Sequence, residues 1–221
     1  MSANAQATLL TVAAIIRNDE VLYEGNLVDY FRSIFFHAQN LRNPYHNFRH
    51  MLSVLCRCYE ACVYYGEELS LRQRRNLLIA ALFHDLDHSG QMGNDDLNIE
   101  KAVRALKKYI IFMDERWFVK IERLVRCTEY PYKIDSRDLD LMGQILRDAD
   151  LAQALEMAWI QQVVFGLSQE WNKTPLEVLS RQARFHKDLV FVTEWGQQRF
   201  PQSLVDTKVS EAEEILALLK T

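Results

Sequence analysis

The stretch SLRQRRNLLIAALFHDLDH, residues 70–88, decides the fold of this chain. It opens on Ser70, a residue type that caps helix N-termini, and then becomes continuously apolar over LLIAALF. A surface helix is apolar along one stripe only, whereas this segment is apolar all round. We therefore predict a central helix that is buried over most of its circumference and carries His84 and Asp85 at its C-terminal end.

The rest of the chain has the same helical character. Seven Gly and four Pro in 221 residues leave few breaks, and strand-like alternation is weak. The predicted helices span 5–17, 26–39, 46–65, 70–86, 95–112, 115–127, 138–154, 156–169, 175–193 and 210–220. We predict an all-α fold, a compact single-domain helical bundle over 1–221. Its parts are N-terminal helices in 1–40, a motif-bearing core over 44–186, and a C-terminal segment and helix in 187–221.

Two further helix starts carry capping signals. Thr174 is followed by Pro175 at the first helical position and by Glu177 three residues on, which predicts a capping box. Ser210 and Glu213 repeat that spacing and predict the start of the last helix. The N-terminal helices are expected either to complete the core or to form the face of a homodimer.

Composition narrows the class of partner. The net charge of −4 argues against binding a nucleic acid polymer, since neutralising phosphates needs an excess of Lys and Arg. It allows a small phosphorylated substrate held by a metal. The apolar run LLTVAAII (9–16) is too short to cross a bilayer and follows no basic segment. The cysteines are interpreted as small, reduced core residues of a cytoplasmic protein with no membrane partner. They are Cys56, Cys58, Cys62 and Cys127.

The histidines are concentrated beside carboxylates. The chain has six histidines, and four of them lie in HNFRH (46–50) and HDLDH (84–88). A third motif, DAD at 148–150, puts two aspartates into an otherwise apolar helical pattern, where a carboxylate is costly unless paired or metal-bound. Imidazole together with carboxylate suits Zn, Fe, Mn or Mg. The three motifs together therefore indicate a divalent metal site.

Each motif alone has an ordinary structural interpretation. A single histidine on an apolar face is more often a hydrogen-bonded core residue, HDLDH fits a helix end, and DAD fits a solvated helix turn. His46 and His50 share one helix face, and the pair alone leaves open two ligands or one ligand and one acid. Three such motifs in one helical domain favour a shared function. His37 and His186 lie outside the pattern and receive no role.

The order H…HD…D resembles that of the HD superfamily of metal-dependent phosphohydrolases, which are all-helical. Within that superfamily the motifs are most similar to those of the cyclic-nucleotide phosphodiesterase catalytic domain. YHNFRH (45–50) resembles its Tyr-His-Asn-x-x-His motif, and HDLDHSG (84–90) resembles its His-Asp-x-Asp-His-x-Gly motif. The resemblance implies metal ligands at His50, His84, Asp85 and Asp150.

Shorter segments extend the resemblance over most of 44–186. LNIEKAV (97–103) is similar to the following Asn-x-Glu-x-Ala segment, and DADLAQ (148–153) is similar to the Ala-Asp-Leu segment. CTEY resembles a Thr-Asp pair with Glu129 in the place of Asp. SRQARF (180–185) has the Gln-x-x-Phe spacing of the family's purine clamp.

The resemblance implies a role for each matching residue. His46 is expected to protonate the leaving group, and Asp85 is expected to act in catalysis as a ligand that bridges two ions. Residues expected to support the ligands or the acid are Asn47, Asp87, His88, Glu100 and Thr128. Residues expected to bind substrate are Tyr45, Gln182 and Phe185.

The expected function is metal-dependent hydrolysis of a nucleotide-type phosphoester, most like that of a 3′,5′-cyclic-nucleotide phosphodiesterase. It needs one or two divalent ions, Mn, Mg, Zn or Fe. One alternative is a nucleotidase or nucleotide pyrophosphohydrolase of the same superfamily, whose extra phosphates require a basic cluster. Candidates for that cluster are Arg49, Lys107, Lys108 and Arg147. The other alternative is a non-catalytic regulatory module that binds a metal or a nucleotide.

Overall fold

A computed structural model describes residues 10–93 and 95–219 of the chain, and within these ranges the structure is helical and contains no strand. The all-α prediction is therefore confirmed for the described residues. The predicted helix over 5–17 is described only from residue 10, and that over 210–220 only as far as residue 219.

The described chain forms α-helices joined by short turns. They are α1 (Val12–Arg17), α2 (Val28–His37), α3 (Phe48–Tyr65), α4 (Leu71–Phe83), α5 (Asp95–Tyr109), α6 (Phe118–Arg126), α7 (Leu141–Leu151), α8 (Gly166–Glu170), α9 (Pro175–Lys187), α10 (Glu194–Arg199) and α11 (Gln202–Leu218). Short 3₁₀ segments span Gly66–Glu68, Phe112–Trp117, Ser136–Asp138 and Ala152–Leu155, and a π-helical segment spans Ile160–Phe165. No helix in the described ranges is long and apolar enough to cross a membrane.

Helix α4 is the centre of the bundle, as predicted. Every residue from Arg74 to Phe83 is buried, and α3, α6 and α7 pack against it. Ser70 caps the N-terminus through a complete capping box with Gln73. The helix ends where His84 donates its backbone N–H to Ala80 (2.8 Å). The continuously apolar LLIAALF segment is thus matched by neighbours on all sides.

A buried ion pair between α4 and Asp114 also holds the N-terminal segment against the bundle. Arg75 and Asp114 are fully buried, and Arg75 Nη2 donates to Asp114 Oδ2 at 2.6 Å. Arg72 and the hydroxyl of Tyr30 also donate to this carboxylate, at 2.5 and 2.8 Å. Arg75 Nη1 donates to the backbone carbonyl of Asn26 (2.7 Å), so one guanidinium connects three segments of the chain. The N-terminal helices complete the core at least over residues 10–40, with Leu27, Tyr30 and Ile34 buried.

The C-terminal region agrees with the capping signals only in part. Thr174 and Glu177 form the predicted capping box of α9. That helix ends at Lys187 rather than 193, and the short helix α10 follows it. The predicted start at Ser210 is wrong, because α11 begins eight residues earlier and Ser210 lies inside it. Packing of α11 on α9 extends the helix towards its N-terminus, as the burial of Val205 and the side chain of Lys208 indicates.

We predict that Asp114→Asn lowers the free energy of unfolding by about 3 kcal/mol, because it leaves the buried Arg75 without a counter-charge. Burial would raise the pKa of Asp114, but hydrogen bonds from Arg75 and Tyr30 outweigh it and lower the pKa below its ordinary value. The contribution is complete above about pH 4 and is lost as the pH falls through the lowered pKa. Urea unfolding at neutral and acidic pH measures both effects.

The control for that experiment is Asp138→Asn, which alters an exposed carboxylate. It is expected to change the free energy of unfolding by less than about 0.5 kcal/mol. Equal stabilities of the two variants at neutral pH would contradict the role given to the ion pair.

Candidate metal centre

The helices that surround α4 bring four ligand side chains to one point. Helix α4 ends at Phe83 and is followed directly by His84 and Asp85, α3 contributes His50 from its first turn, and α7 contributes Asp150 from its last turn. Both α3 and α7 pack directly on α4 and on each other. We call these four residues the His-Asp cluster.

The distances within the His-Asp cluster fit a shared cation. His50 Nε2 lies 3.2 Å from Asp85 Oδ2 and 3.0 Å from Asp150 Oδ1. His84 Nε2 lies 3.4 and 3.5 Å from the same two oxygens, and the two Nε2 atoms are 3.3 Å apart. Adjacent ligands of an ion bound at about 2.1 Å stand roughly 3.0 to 3.4 Å apart. The side chains therefore surround a space of the size that a divalent ion needs.

Hydrogen bonds behind the cluster fix which imidazole nitrogen faces it. His84 Nδ1 lies 2.9 Å from the Ala81 carbonyl oxygen, and His50 Nδ1 lies 2.8 Å from Gln153 Oε1. Both partners are acceptors, so each Nδ1 carries the proton and each neutral ring presents the Nε2 lone pair to the cluster. Gln153 is itself oriented by donating to Gln162 (2.8 Å). Two facing lone pairs and two carboxylates need a positive charge between them, which a metal ion supplies.

When no metal ion is bound, protonation of the two histidines supplies that positive charge. Burial would lower the pKa of His50, but the carboxylates of Asp150 and Asp85 outweigh burial and raise the pKa to about 9. The same carboxylates raise the pKa of His84 well above its ordinary value. Conversely, the histidines lower the pKa of both aspartates against the effect of burial. The carboxylates are therefore ionised at neutral pH, as metal ligands must be.

The two aspartates of the DAD motif have different surroundings. Asp150 faces the His-Asp cluster, whereas Asp148 points away from it and accepts hydrogen bonds from the backbone of Val192 (3.0 Å) and from the Thr193 hydroxyl (2.6 Å). Thr193 in turn caps α10 through the backbone N–H of Gly196. Asp148 thus connects the C-terminal segment to α7, and Asp150 is the ligand candidate.

A second group of titratable residues lies beside the cluster. The side chain of Glu170 is almost fully buried, its Oε1 pairs with His46 Nδ1, and its Oε2 accepts the backbone N–H groups of Tyr45 (2.9 Å) and His46 (3.0 Å). The ring of His88 stacks on that of His46 with centroids 3.8 Å apart. Burial and the neighbouring His46 lower the pKa of His88 to about 4, so His88 is neutral at pH 7.

The spacing of this second group is compatible with a metal ion, but its hydrogen bonds oppose one. The backbone N–H of Gly90 donates to His88 Nδ1 at 3.0 Å and occupies that lone pair. One oxygen of Glu170 is taken up by two backbone donors, and the other holds His46. Glu170 and His88 therefore position His46, and the His-Asp cluster is the group whose facing atoms are free to hold a metal ion.

An open pocket of about 220 Å³ lies over the cluster. The predicted site residues that line it are Tyr45, His46, His50, Asp85, Thr128, Asp150, Gln182 and Phe185. Gln182 is nine-tenths buried, and its Oε1 has no hydrogen-bond partner in the described structure. The basic candidates Arg49, Lys107, Lys108 and Arg147 do not line this pocket. Arg147 is instead held by backbone carbonyls, including that of Cys127 at 2.6 Å.

Three residues that the resemblance places at the site have other contacts in the structure. Glu100 is half exposed on α5 and pairs with Arg126 (2.5 Å), because the neighbouring Asn98 occupies the inward face of that helix beside His88. Asp87 accepts the backbone N–H of Gln39 (2.8 Å) and contacts neither a ligand nor His46. The structure therefore gives Glu100 and Asp87 other contacts than the predicted ones. Glu129 likewise pairs with Lys133 on the surface.

Asn47 and Thr128 lie close to the site. Asn47 is the N-cap of α3, and its Oδ1 accepts the backbone N–H groups of Arg49 (2.8 Å) and His50 (3.3 Å). It therefore holds the first turn of the helix that carries His50. Thr128 is buried in the pocket wall, and its hydroxyl donates to the Val125 carbonyl (2.8 Å).

Sequence reasoning missed residues that hold the site together. Gln153 and Glu170 lie far along the chain from His50 and His46, the histidines that they orient. Asn40 is buried and donates to the carbonyls of His46 (2.9 Å) and Asp85 (2.7 Å), so it joins the two motif-bearing turns. Asp95 also lines the pocket, and burial raises its pKa to about 6. Gln153 closes the DADLAQ segment, but nothing in that segment identifies it as the partner of His50.

Comparison with protein-family models and with curated protein sequences gives no match for this chain.

We predict that Asp150→Asn lowers the affinity for Mn²⁺ or Zn²⁺ at least about 100-fold, because it removes a charged ligand from the cluster. Asp148→Asn is the matched control and is expected to keep its metal while losing stability, since Asp148 bonds to Thr193 instead. Elemental analysis after dialysis and calorimetric titration measure both. Loss of metal in Asp148→Asn with retention in Asp150→Asn would reverse the assignment.

Proposed function

We propose that the chain is a metal-dependent phosphohydrolase acting on a nucleotide-type phosphoester, most like a 3′,5′-cyclic-nucleotide phosphodiesterase. The observation that carries the proposal is the convergence of two Nε2 lone pairs and two carboxylates at the base of an open pocket, next to a histidine held by a buried glutamate. A metal site alone needs no such acid beside it. The combination supports hydrolysis over simple metal storage.

The residues of the His-Asp cluster suit one tightly held divalent ion. His50, His84, Asp85 and Asp150 would hold it, and the carboxylates keep part of their surface open to the pocket, 14% for Asp85 and 23% for Asp150. When bound, such an ion activates water for attack at phosphorus and offsets charge on phosphoryl oxygens. The ring orientations set by Ala81 and Gln153 keep the two histidines ready to bind without rearrangement.

His46 is the candidate general acid. Its Nδ1 is engaged by Glu170, which leaves Nε2 as the atom that can donate a proton to the leaving alkoxide. The buried Glu170 carboxylate fixes the orientation of the His46 ring through its contact with Nδ1, and the stacked His88 limits the rotation of that ring. Burial would raise the pKa of Glu170, but the contact with His46 outweighs burial and lowers it, which keeps the carboxylate charged.

The pocket walls favour a substrate with one phosphate and a flat, hydrogen-bonding body. No Lys or Arg of the described residues lines the pocket, so nothing but the metal site would balance phosphate charge. This counts against a triphosphate or pyrophosphate substrate, which needs further cations. The unpartnered Oε1 of Gln182 offers an acceptor to an amino or imino group, and Tyr45 and Phe185 offer apolar faces.

We expect the purified protein, loaded with Mn²⁺, Mg²⁺, Zn²⁺ or Fe²⁺, to hydrolyse at least one member of a panel of cyclic nucleotides, nucleoside monophosphates and generic phosphodiesters. Chelation is expected to abolish turnover, and the metal should restore it. Asp85→Ala should lose activity at least about 100-fold together with its metal. Absence of hydrolysis with every metal would remove the enzyme proposal, and nucleotide binding without turnover would favour a regulatory module.

We expect His46→Ala to lower kcat by about 100- to 10,000-fold on an alkyl phosphoester, because the leaving alkoxide then lacks a proton donor. The loss should be much smaller on a nitrophenyl ester, whose leaving group needs no proton, and metal content should not change. His37→Ala is the matched control, since His37 only stacks on Tyr109 at the surface. An equal loss on both esters would exclude the acid role of His46.

A further inference from the structure

A second cavity, of about 540 Å³, opens beside the N-terminal half of α4, and it shares no lining residue with the pocket over the His-Asp cluster. Residues of α6 and of the first turn of α7 complete its wall, among them Lys120, Arg123 and Gly143. Its volume is within the range of about 300 to 1,000 Å³ that is typical of small-molecule sites. We call it the basic cavity.

The charges of the basic cavity are unbalanced, although the whole chain is acidic. Arg116, Lys120 and Arg123 line it and form no ion pair with any carboxylate of the described residues. Of the acidic residues in its wall, Glu24 is paired with Arg72 (2.6 Å) and Asp140 caps α7 through Gly143. The cavity therefore attracts an anion.

Polar atoms inside the basic cavity lack partners. Asn76 is 1% exposed, lines the cavity, and its Oδ1 accepts no hydrogen bond in the described structure. The indole Nε1 of Trp117 is also buried and donates to no described acceptor. An unpaired buried acceptor and an unpaired buried donor are each costly. A ligand that carries a hydrogen-bond donor on its body and an acceptor elsewhere would satisfy both.

The apolar part of the cavity wall indicates the chemistry of the uncharged part of the ligand. Leu124, Leu139 and Met142 line the cavity together with Trp117, whose ring already lies 4.9 Å from Lys120 Nζ. The three unpaired cations are exposed and therefore lie at the mouth of the cavity, whereas Asn76 is buried at its floor. A ligand would thus insert an apolar or aromatic body and leave its charged group at the mouth.

We propose that the basic cavity binds a small organic phosphate whose apolar or aromatic body carries a hydrogen-bond donor. The phosphate contacts Arg116, Lys120 and Arg123 at the mouth, and the donor reaches Asn76 at the floor. This site is separate from the His-Asp cluster, and its occupation requires neither a metal nor hydrolysis.

Calorimetric titration of the chelated, metal-free protein tests this inference independently of the proposed activity. The probes are the four common nucleoside 5′-monophosphates, which carry all three features, and inorganic phosphate, which carries only the charge. At least one nucleotide is expected to bind with Kd below about 1 mM and at least about tenfold more tightly than phosphate. Absence of binding by all four, or equal affinity for phosphate, would overturn the proposal.

Variants locate the binding event. Arg123→Glu is expected to weaken nucleotide binding about tenfold or more, and the matched charge reversal Lys107→Glu, on an exposed face outside both cavities, is expected to change it less than about twofold. Asn76→Leu should weaken binding about fivefold without lowering Tm, because the amide oxygen it removes has no partner. Equal affinities of Arg123→Glu and Lys107→Glu, or loss of binding in Gln182→Leu, would place the ligand elsewhere and exclude the site.

Discussion

The structure depends on one electrostatic constraint, which is the approach of the Nε2 atoms of His50 and His84 to within 3.5 Å of the carboxylates of both Asp85 and Asp150. Two imidazole lone pairs and two carboxylates repel each other unless a cation or protons lie between them. The arrangement persists because the ligands come from helices whose packing is fixed elsewhere. Helix α4 is apolar on all sides over residues 77–83, so α3 and α7 cannot move from it without exposing core residues.

The buried charges at the two ends of α4 are balanced in different ways. At its N-terminal end, Arg75 and Asp114 neutralise each other completely and have every hydrogen bond satisfied nearby. At its C-terminal end, the charges of the His-Asp cluster are acidic in sum once both histidines are neutral, and part of the carboxylate surface stays open. The Arg75–Asp114 pair stabilises the fold, whereas the His-Asp cluster could hold a metal ion. A single helix therefore connects the residues that make the chain stable with those proposed to make it active.

Much of this organisation could be predicted from the sequence, where local patterns suffice. The buried helix follows from LLIAALF, and the placement of His84 and Asp85 follows from where that run ends. The partners that orient His50 and His46 could not be predicted, because Gln153 and Glu170 are polar residues of a common type whose positions depend on tertiary packing. Glu100, in contrast, was predicted at the site but has a different contact in the structure. A short motif assigned it to the site, but the helical rotation between it and Asn98 directs it to solvent.

The most direct test of the account is the position of a bound metal. Crystals grown with Mn²⁺ or Zn²⁺ and measured at the absorption edge of the ion give an anomalous peak for each site. The account predicts a peak about 2.0 to 2.3 Å from His50 Nε2, His84 Nε2, Asp85 Oδ2 and Asp150 Oδ1. A fully occupied peak between His46, His88 and Glu170, with no peak at the His-Asp cluster, would contradict it.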